Sequence, residues 1–297
     1  MGKIDKAMLV YNEHAGQQGV QSNLEACLPI LAAEIEQLTV MKSSEQGHLA
    51  EICKNYGAEQ DVLFILGGDG TVHECINGLA ELQKKPAIAV LPGGTCNDIS
   101  RMMEIPQNIR TAAEALLTGI ARPFDAIKAD DHYLINFWGI GLVTKTSNNI
   151  NEAEKERLGK ISYYLSAIRT INKMEPFRYT ITCDGETSAG EAIMILVANG
   201  QFIGTNRLPF CNISFDDGLA EIIIVKNASL TLLKELFTLD LTQINEETGR
   251  EFQLSRGSKI KIETEKRMEA DMDGEVYLQT PCELTVLKHY FRFIKPA

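Results

Sequence analysis

Two glycine-rich stretches, each carrying an aspartate, hold the residue types in this chain best suited to chemistry. The first is Gly67-Gly68-Asp69-Gly70-Thr71, directly after the apolar run Asp61-Val62-Leu63-Phe64-Ile65-Leu66. A run of β-branched and large apolar residues without alternation reads as a buried parallel strand. Thr71-Val72-His73-Glu74 is predicted to open a helix, with Glu74 three residues after Thr71 in the manner of a capping box. Strand, glycine turn and helix N-terminus in that order suit a phosphate, because glycines let the backbone approach and free N–H groups face the anion. Asp69 would repel that phosphate unless a divalent cation lay between them. The loop therefore points to a nucleotide with Mg²⁺. The second stretch, Leu91-Pro92-Gly93-Gly94-Thr95-Cys96-Asn97-Asp98-Ile99-Ser100-Arg101, again follows a strand signal, and its Thr, Asn and Asp can cap a helix or reach a ligand.

These loops need a scaffold that brings two strand ends together. Strands are predicted over 7–11, 38–41, 61–66 and 87–91, with helical periodicity over 20–37 and 45–56. Strands alternating with helices imply a doubly wound parallel sheet with its ligand at the carboxyl ends of the strands. From about residue 122 strand signals dominate, over 133–137, 179–183, 192–198, 219–225, 259–263 and 284–287, many of them separated by Asp-Gly or Asn-Gly. Two helical stretches, 161–173 and 230–239, interrupt them. The expected fold is thus α/β plus β, with an α/β nucleotide domain over 1–122 and a mainly antiparallel sandwich over 123–287. A basic, aromatic segment, 288–297, is expected to return to the first domain.

Composition narrows the function. The chain has 297 residues, 44% of them hydrophobic, and a formal net charge of −11. An acidic surface argues against a general nucleic-acid binder, and it confines any contact with anionic lipid to a local patch. Seven scattered cysteines without a C-x-x-C pair fit reduced thiols in a cytoplasmic protein. No signal-peptide core and no apolar run near the roughly 18 residues of a spanning helix is present, so membrane contact is expected to be peripheral. Exposed sandwich edges leave room for a homodimer.

The segments GGDGTVHECINGL and LPGGTCNDISR resemble the paired motifs of the diacylglycerol kinase catalytic-domain family. The family includes bacterial lipid kinases and the sphingosine and ceramide kinases. The resemblance runs from Leu9-Val10-Tyr11-Asn12 to Met272-Asp273-Gly274-Glu275. It implies a fold like that of NAD kinase, ATP as phosphoryl donor, and a membrane lipid as acceptor at the inner face of the membrane. Asn12 would belong to the first loop, where Glu13 stands in place of the family's usual Pro. Ser43 would fall near a hydroxyl residue that contacts nucleotide. Gly67, Gly68, Asp69, Gly70, Thr71, Val72 and His73 would cradle the phosphates, and Thr95 would add a hydroxyl. Asp69, Asp98 and Asp125 resemble the acidic network that holds catalytic Mg²⁺, partly through water. Lys160 would tune those carboxylates or meet phosphate.

Asp273, with Glu275 beside it, matches the family's general base, which takes a proton from the lipid hydroxyl as it attacks the γ-phosphate. Asp-Gly between strand signals is equally a type I′ hairpin turn. Cys183-Asp184-Gly185-Glu186 repeats the same triplet and is assigned to an ordinary turn, because the family's catalytic triplet comes late in the chain. Phe215-Asp216-Asp217-Gly218-Leu219 resembles a second, structural Mg²⁺ site, with the Asp217 carboxylate joined by the carbonyls of Ser214 and Leu219. The expected activity is an ATP- and Mg²⁺-dependent kinase acting on a lipid hydroxyl, most simply that of diacylglycerol. An NAD kinase and a non-catalytic nucleotide- or lipid-binding regulator are the alternatives.

Overall fold

The computed structural model describes residues 4–13, 19–141, 175–208, 213–226 and 252–297. The chain divides into two units, Met1–Phe124 with His289–Ala297, and Asp125–Lys288. Lys160 and the helices expected over 161–173 and 230–239 lie outside the described residues.

The first unit runs β1 (Lys6–Asn12), α1 (Val20–Glu34), β2 (Gln37–Ser43), α2 (His48–Tyr56), β3 (Val62–Gly67), α3 (Asp69–Ala80), β4 (Ala87–Pro92), α4 (Asp98–Met102) and α5 (Ile109–Leu117). Its sheet is parallel in the order β2-β1-β3-β4. Every residue of β3 and β4 is buried, which is why their sequences are unbroken apolar runs. Helices cover the sheet through stripes of helical spacing. Leu24, Cys27 and Leu31 are the buried positions of α1, and Ile109, Ala112, Ala113 and Leu116 those of α5. The side chain of Asn108 accepts the N–H of Thr111 at 3.2 Å and caps α5, a device worth about 1 kcal/mol.

Strand β5 (Ile120–Ala129) leads from this unit into the second. There follow β6 (His132–Leu134), β7 (Phe137–Gly141), β8 (Phe177–Cys183), β9 (Glu186–Ala192), β10 (Met194–Ala198), the short pair β11 (Phe202–Ile203) and β12 (Asn206–Arg207), then β13 (Ala220–Val225), β14 (Phe252–Gly257), β15 (Lys259–Thr264), β16 (Glu269–Met272), β17 (Glu275–Gln279) and β18 (Cys282–Lys295). One antiparallel sheet has the order β14-β13-β10-β7-β16-β17. A second antiparallel group joins the start of β18 to β15, β15 to β8 and β8 to β9.

Trp138, Ile140, Ile195, Ile222 and Ile224 from the first sheet share one core with Ile181, Ile260, Ile262 and Leu284 from the second, the signature of a sandwich. The other face of the first sheet places Phe137, Leu196, Ile223 and Val225 in a separate apolar cluster. Alternate residues of β13 thus enter different cores, so its sequence shows no alternation.

The strand expected over 133–137 is broken in two, with Ile135 and Asn136 between β6 and β7. The cause is local. The N–H groups of Ile135, Asn136 and Phe137 turn to a side chain, the carboxylate of Asp273. The last strand is far longer than the stretch expected over 284–287, and its end belongs to the first unit. There Phe293 pairs with Ile88 of β4, the Tyr290 hydroxyl donates to the Ala80 carbonyl at 2.8 Å, and Lys85 sits 4.2 Å from the Tyr290 ring centre.

Candidate active site

The two glycine loops meet at the carboxyl ends of β3 and β4. The N–H of Gly93 donates to the Gly67 carbonyl at 3.0 Å. A Cβ on Gly94 would lie 2.3 Å from the Cα of Gly68, backbone against backbone, so neither loop can carry a side chain at this contact without moving the other. Asn97 holds the second loop in shape from the left-handed conformation (φ 55°). Its Oδ1 accepts the Gly94 N–H at 2.8 Å and its Nδ2 donates to the Gly94 carbonyl at 2.9 Å. Asp69 is tied to the same structure, its Oδ1 accepting the N–H of Ile99 at 3.3 Å. Asp69 and Asp98 are therefore brought together at the start of α4. Gly70, Gly94 and Thr95 are exposed at this edge, whereas Thr71, Val72 and His73 are buried.

Helix α3 begins at Asp69, two residues before the expected start, with Gly68 as its N-cap and no side-chain cap. The capping-box expectation for Thr71 and Glu74 is corrected accordingly. The Glu74 carboxylate instead accepts the N–H of Leu49 at 2.8 Å and caps α2. His73 turns inward, where its ring nitrogen meets the Asn77 amide at 3.3 Å. Asn12 and Ser43 face each other in register at the ends of β1 and β2. Ser43 is fully buried and gives its hydroxyl proton to the Glu45 carbonyl at 2.8 Å, so it shapes the strand end.

The carboxylates of the second unit have equally definite surroundings. Asp273 and Gly274 form a two-residue turn with φ 54° and 97° between β16 and β17, the hairpin geometry anticipated from the sequence. The Asp273 side chain nevertheless points at the protein. Its Oδ2 accepts the Ile135 N–H at 3.0 Å, and its Oδ1 accepts the N–H groups of Asn136 and Phe137, each at 2.9 Å. Glu275 is half-buried beside it. Asp125 is fully buried, and its Oδ2 accepts the Gly218 N–H at 2.6 Å while its own N–H donates to the Phe215 carbonyl at 2.7 Å. One candidate carboxylate is thus gripped by the loop that sequence resemblance assigns to a cation.

In that loop Asp217 accepts the Leu219 N–H at 3.0 Å through Oδ1 and pairs with Arg256 through Oδ2. Arg256 also lies 2.6 Å from Glu221, whose carboxyl is pushed up by burial and pulled back by the guanidinium. The donor set of oxygen atoms suits a hard cation, and such an ion would compete with Arg256 for Asp217. Among the described residues no three or more His, Cys, Asp or Glu side chains converge on a metal position. A sparse carboxylate set fits Mg²⁺ that arrives on nucleotide phosphates and keeps several waters.

Several residues of this constellation escape sequence inspection. Asn199 reads as half of an Asn-Gly turn, yet it is fully buried and its Nδ2 donates to the carbonyls of Asp125 at 3.1 Å and Ile135 at 2.9 Å. Asp271, also fully buried, accepts the Gly274 N–H at 2.8 Å and tightens the turn that carries Asp273. The second Asp-Gly turn behaves as expected. Asp184 is exposed and accepts the N–H groups of Ser258 and Lys259, joining neighbouring strands.

Comparison with known proteins bears on the fold and the family. Residues 6–129 match the model of the diacylglycerol kinase catalytic domain, and residues 139–295 that of the YegS C-terminal NAD kinase beta sandwich-like domain. A Staphylococcus epidermidis protein named "Putative lipid kinase" is 35% identical over 286 residues, covering 94% of this chain and 93% of its own. A crystal structure described as a "putative diacylglycerol kinase" from Bacillus anthracis is 40% identical, with a TM-score of 0.89 over 99% of this chain and 98% of its own. A second Bacillus anthracis structure, described as a diacylglycerol kinase, is 34% identical, with a TM-score of 0.82 over the same shares. With both domains matched in order and along nearly their whole length, the chain belongs to the diacylglycerol kinase family of lipid kinases.

Proposed function

We propose that this lipid kinase transfers the γ-phosphoryl group of ATP to the free hydroxyl of diacylglycerol, giving phosphatidic acid and ADP. The observation that carries the proposal is the Asp273 carboxylate, which at least three backbone N–H groups hold in one orientation on a tight turn. As the lipid oxygen bonds to phosphorus and the bond to the ADP oxygen breaks, the hydroxyl proton passes to Asp273. Glu275 is the neighbouring carboxylate of the same turn.

The glycine loops, with Gly67, Gly68, Gly70, Gly94 and Thr95, supply N–H and hydroxyl donors for the phosphates, and Asn12 borders them at the end of β1. Asp69, Asp98 and Asp125 are the proposed carboxylate partners of Mg²⁺, whose role when bound is to neutralise charge on the phosphates. A second cation at Ser214, Asp217 and Leu219 would brace the loop that grips Asp125. Catalysis on this view is mostly positioning and charge neutralisation, as phosphoryl transfer demands.

A lipid substrate implies work at a membrane surface. No helix among the described residues is long and apolar enough to cross a membrane, and the contact we propose is peripheral, at the cytoplasmic face. The test is transfer of label from [γ-³²P]ATP, with Mg²⁺, to a panel of acceptors in mixed micelles: diacylglycerol, sphingosine, ceramide and, in solution, NAD. Diacylglycerol is expected to be labelled fastest. A faster rate on another acceptor would reassign the substrate, and no labelled lipid from folded protein would refute the kinase assignment.

A further inference from the structure

We propose that Asn199 is a positioning residue that staples the strand carrying Asp125 to the segment that orients Asp273. Asn199 follows β10 and is fully buried. Both hydrogens of its Nδ2 are used, one on the Asp125 carbonyl at 3.1 Å and one on the Ile135 carbonyl at 2.9 Å. Its backbone N–H donates to the Asn136 carbonyl at 2.8 Å, which also accepts the Gly200 N–H at 2.8 Å. Ile135 and Asn136 are two of the three residues whose N–H groups hold the Asp273 carboxylate. One carboxamide therefore ties together two chain segments, each of which fixes a candidate catalytic carboxylate.

The orientation of that amide is determined by its partners. Reversing it would set its oxygen against two carbonyls and lose both hydrogen bonds. The Oδ1 atom, by contrast, is buried with no hydrogen-bond partner. A buried acceptor without a donor is costly, and an aliphatic side chain of similar volume would avoid that cost. The carboxamide makes physical sense here through its Nδ2 fork, which no aliphatic side chain supplies.

The inference rests on the reading of Asp125 and Asp273 as catalytic residues, and its test separates the two. Asn199→Leu removes the fork. Gln201→Leu removes a comparable amide-to-carbonyl bond, Gln201 Nε2 to the Ile213 carbonyl at 2.6 Å, which touches neither carboxylate. Amide hydrogen exchange at Ile135, Asn136 and Phe137 should rise about tenfold or more in Asn199→Leu and stay unchanged in Gln201→Leu. Turnover of Asn199→Leu should fall by about 10²-fold. Its KM for ATP should rise by a much smaller factor than turnover falls, because no contact of the glycine loops is touched. Asn199→Ser keeps one donor and should be intermediate, and it replaces the Leu variant if that fails to fold.

Unchanged exchange at residues 135–137 would overturn the staple whatever the activity. Faster exchange with normal turnover would overturn its catalytic part. If the wild-type protein phosphorylates no acceptor, the catalytic reading and the catalytic part of the inference fall together, and the exchange result alone decides the staple.

Discussion

The backbone N–H of Asn136 donates to Oδ1 of Asp273 at 2.9 Å, and the same oxygen takes the N–H of Phe137. Asp273 is therefore a hairpin-turn residue and an oriented carboxylate at once. The two assignments were rivals on sequence grounds and are compatible in the fold. A turn aspartate with φ 54° aims its side chain back across the neighbouring strand, where N–H groups freed by the break between β6 and β7 receive it.

Asp273→Asn is expected to fail in two ways. The carboxamide oxygen can keep Asn136 and Phe137, but its NH₂ then faces the Ile135 N–H, donor against donor. Hydrogen bonds to a charged acceptor contribute about 1.5–3 kcal/mol each, so a loss of that order should appear in chemical denaturation. Turnover should fall further, by about 10²–10⁴-fold, if the proton acceptor has been removed. Asp184→Asn provides the comparison, since that carboxylate also binds backbone N–H groups on an Asp-Gly turn. It should lose stability and keep turnover. Near-normal turnover in Asp273→Asn would remove Asp273 as the base.

How much was legible in the sequence depends on the range of the forces involved. The strands β1, β3 and β4 and both glycine loops were readable because burial of a parallel strand and a glycine turn write themselves into adjacent residues. The short helix α4 and the capped helix α5 are hard to read, because Asp98–Met102 is too short for periodicity and the cap at Asn108 is a single residue. Glu74 misleads for a different reason. Its spacing from Thr71 fits a local cap, while its actual partner, the Leu49 N–H, lies 25 residues away. Asn199 leaves no local trace, since its partners Asp125 and Ile135 lie 74 and 64 residues away and are brought to it only by strand pairing.

Asp184 gives the fold a specific response to acid. The N–H of Ser258, then that of Lys259 and the Ser258 hydroxyl, hold its carboxyl below the usual 3.8. A carboxyl lowered in the folded state stabilises it above the unfolded value, and the contribution is lost as pH falls through the lowered one. The difference in Tm between wild type and Asp184→Ala should therefore shrink as pH is taken from about 6 to about 2. A constant difference across that range would mean that packing, not charge, is the contribution of this side chain.

Contact between the glycine loops makes a graded prediction. A Cβ at Gly94 would approach the Gly68 Cα to 2.3 Å, whereas a Cβ at Gly68 would lie 3.1 Å from the Gly94 Cα. The first cannot be relieved without moving backbone, and the second needs a shift of a few tenths of an ångström. Gly94→Ala should weaken ATP binding more than Gly68→Ala, since only the first must displace backbone of the loops proposed to face the phosphates. Calorimetric titration with ATP and Mg²⁺ measures both. The reverse order would show that the loops separate readily on binding.

Cys96 offers a chemical probe of the same loop. The described cysteines are free thiols, and Cys27, Cys53, Cys75 and Cys282 are buried. Burial pushes the Cys27 thiol to about 11 and that of Cys282 to about 12, and it raises Cys75 as well. Cys183 is half-buried like Cys96, but burial raises its thiol and the negative charges of Asp184 and Glu186 add to the effect. The thiolate is the reactive form, so among the described cysteines Cys96 should react first with iodoacetamide. Its place between Thr95 and Asn97 puts it in the loop proposed to face nucleotide. Mg²⁺ and ATP together should slow its labelling about tenfold or more at saturation, in a time course followed by peptide mass spectrometry, because the loop is then occupied for most of the time. Labelling of Cys183 or Cys282 ahead of Cys96 would contradict the burial argument. Equal Cys96 rates with and without nucleotide would place ATP away from this loop.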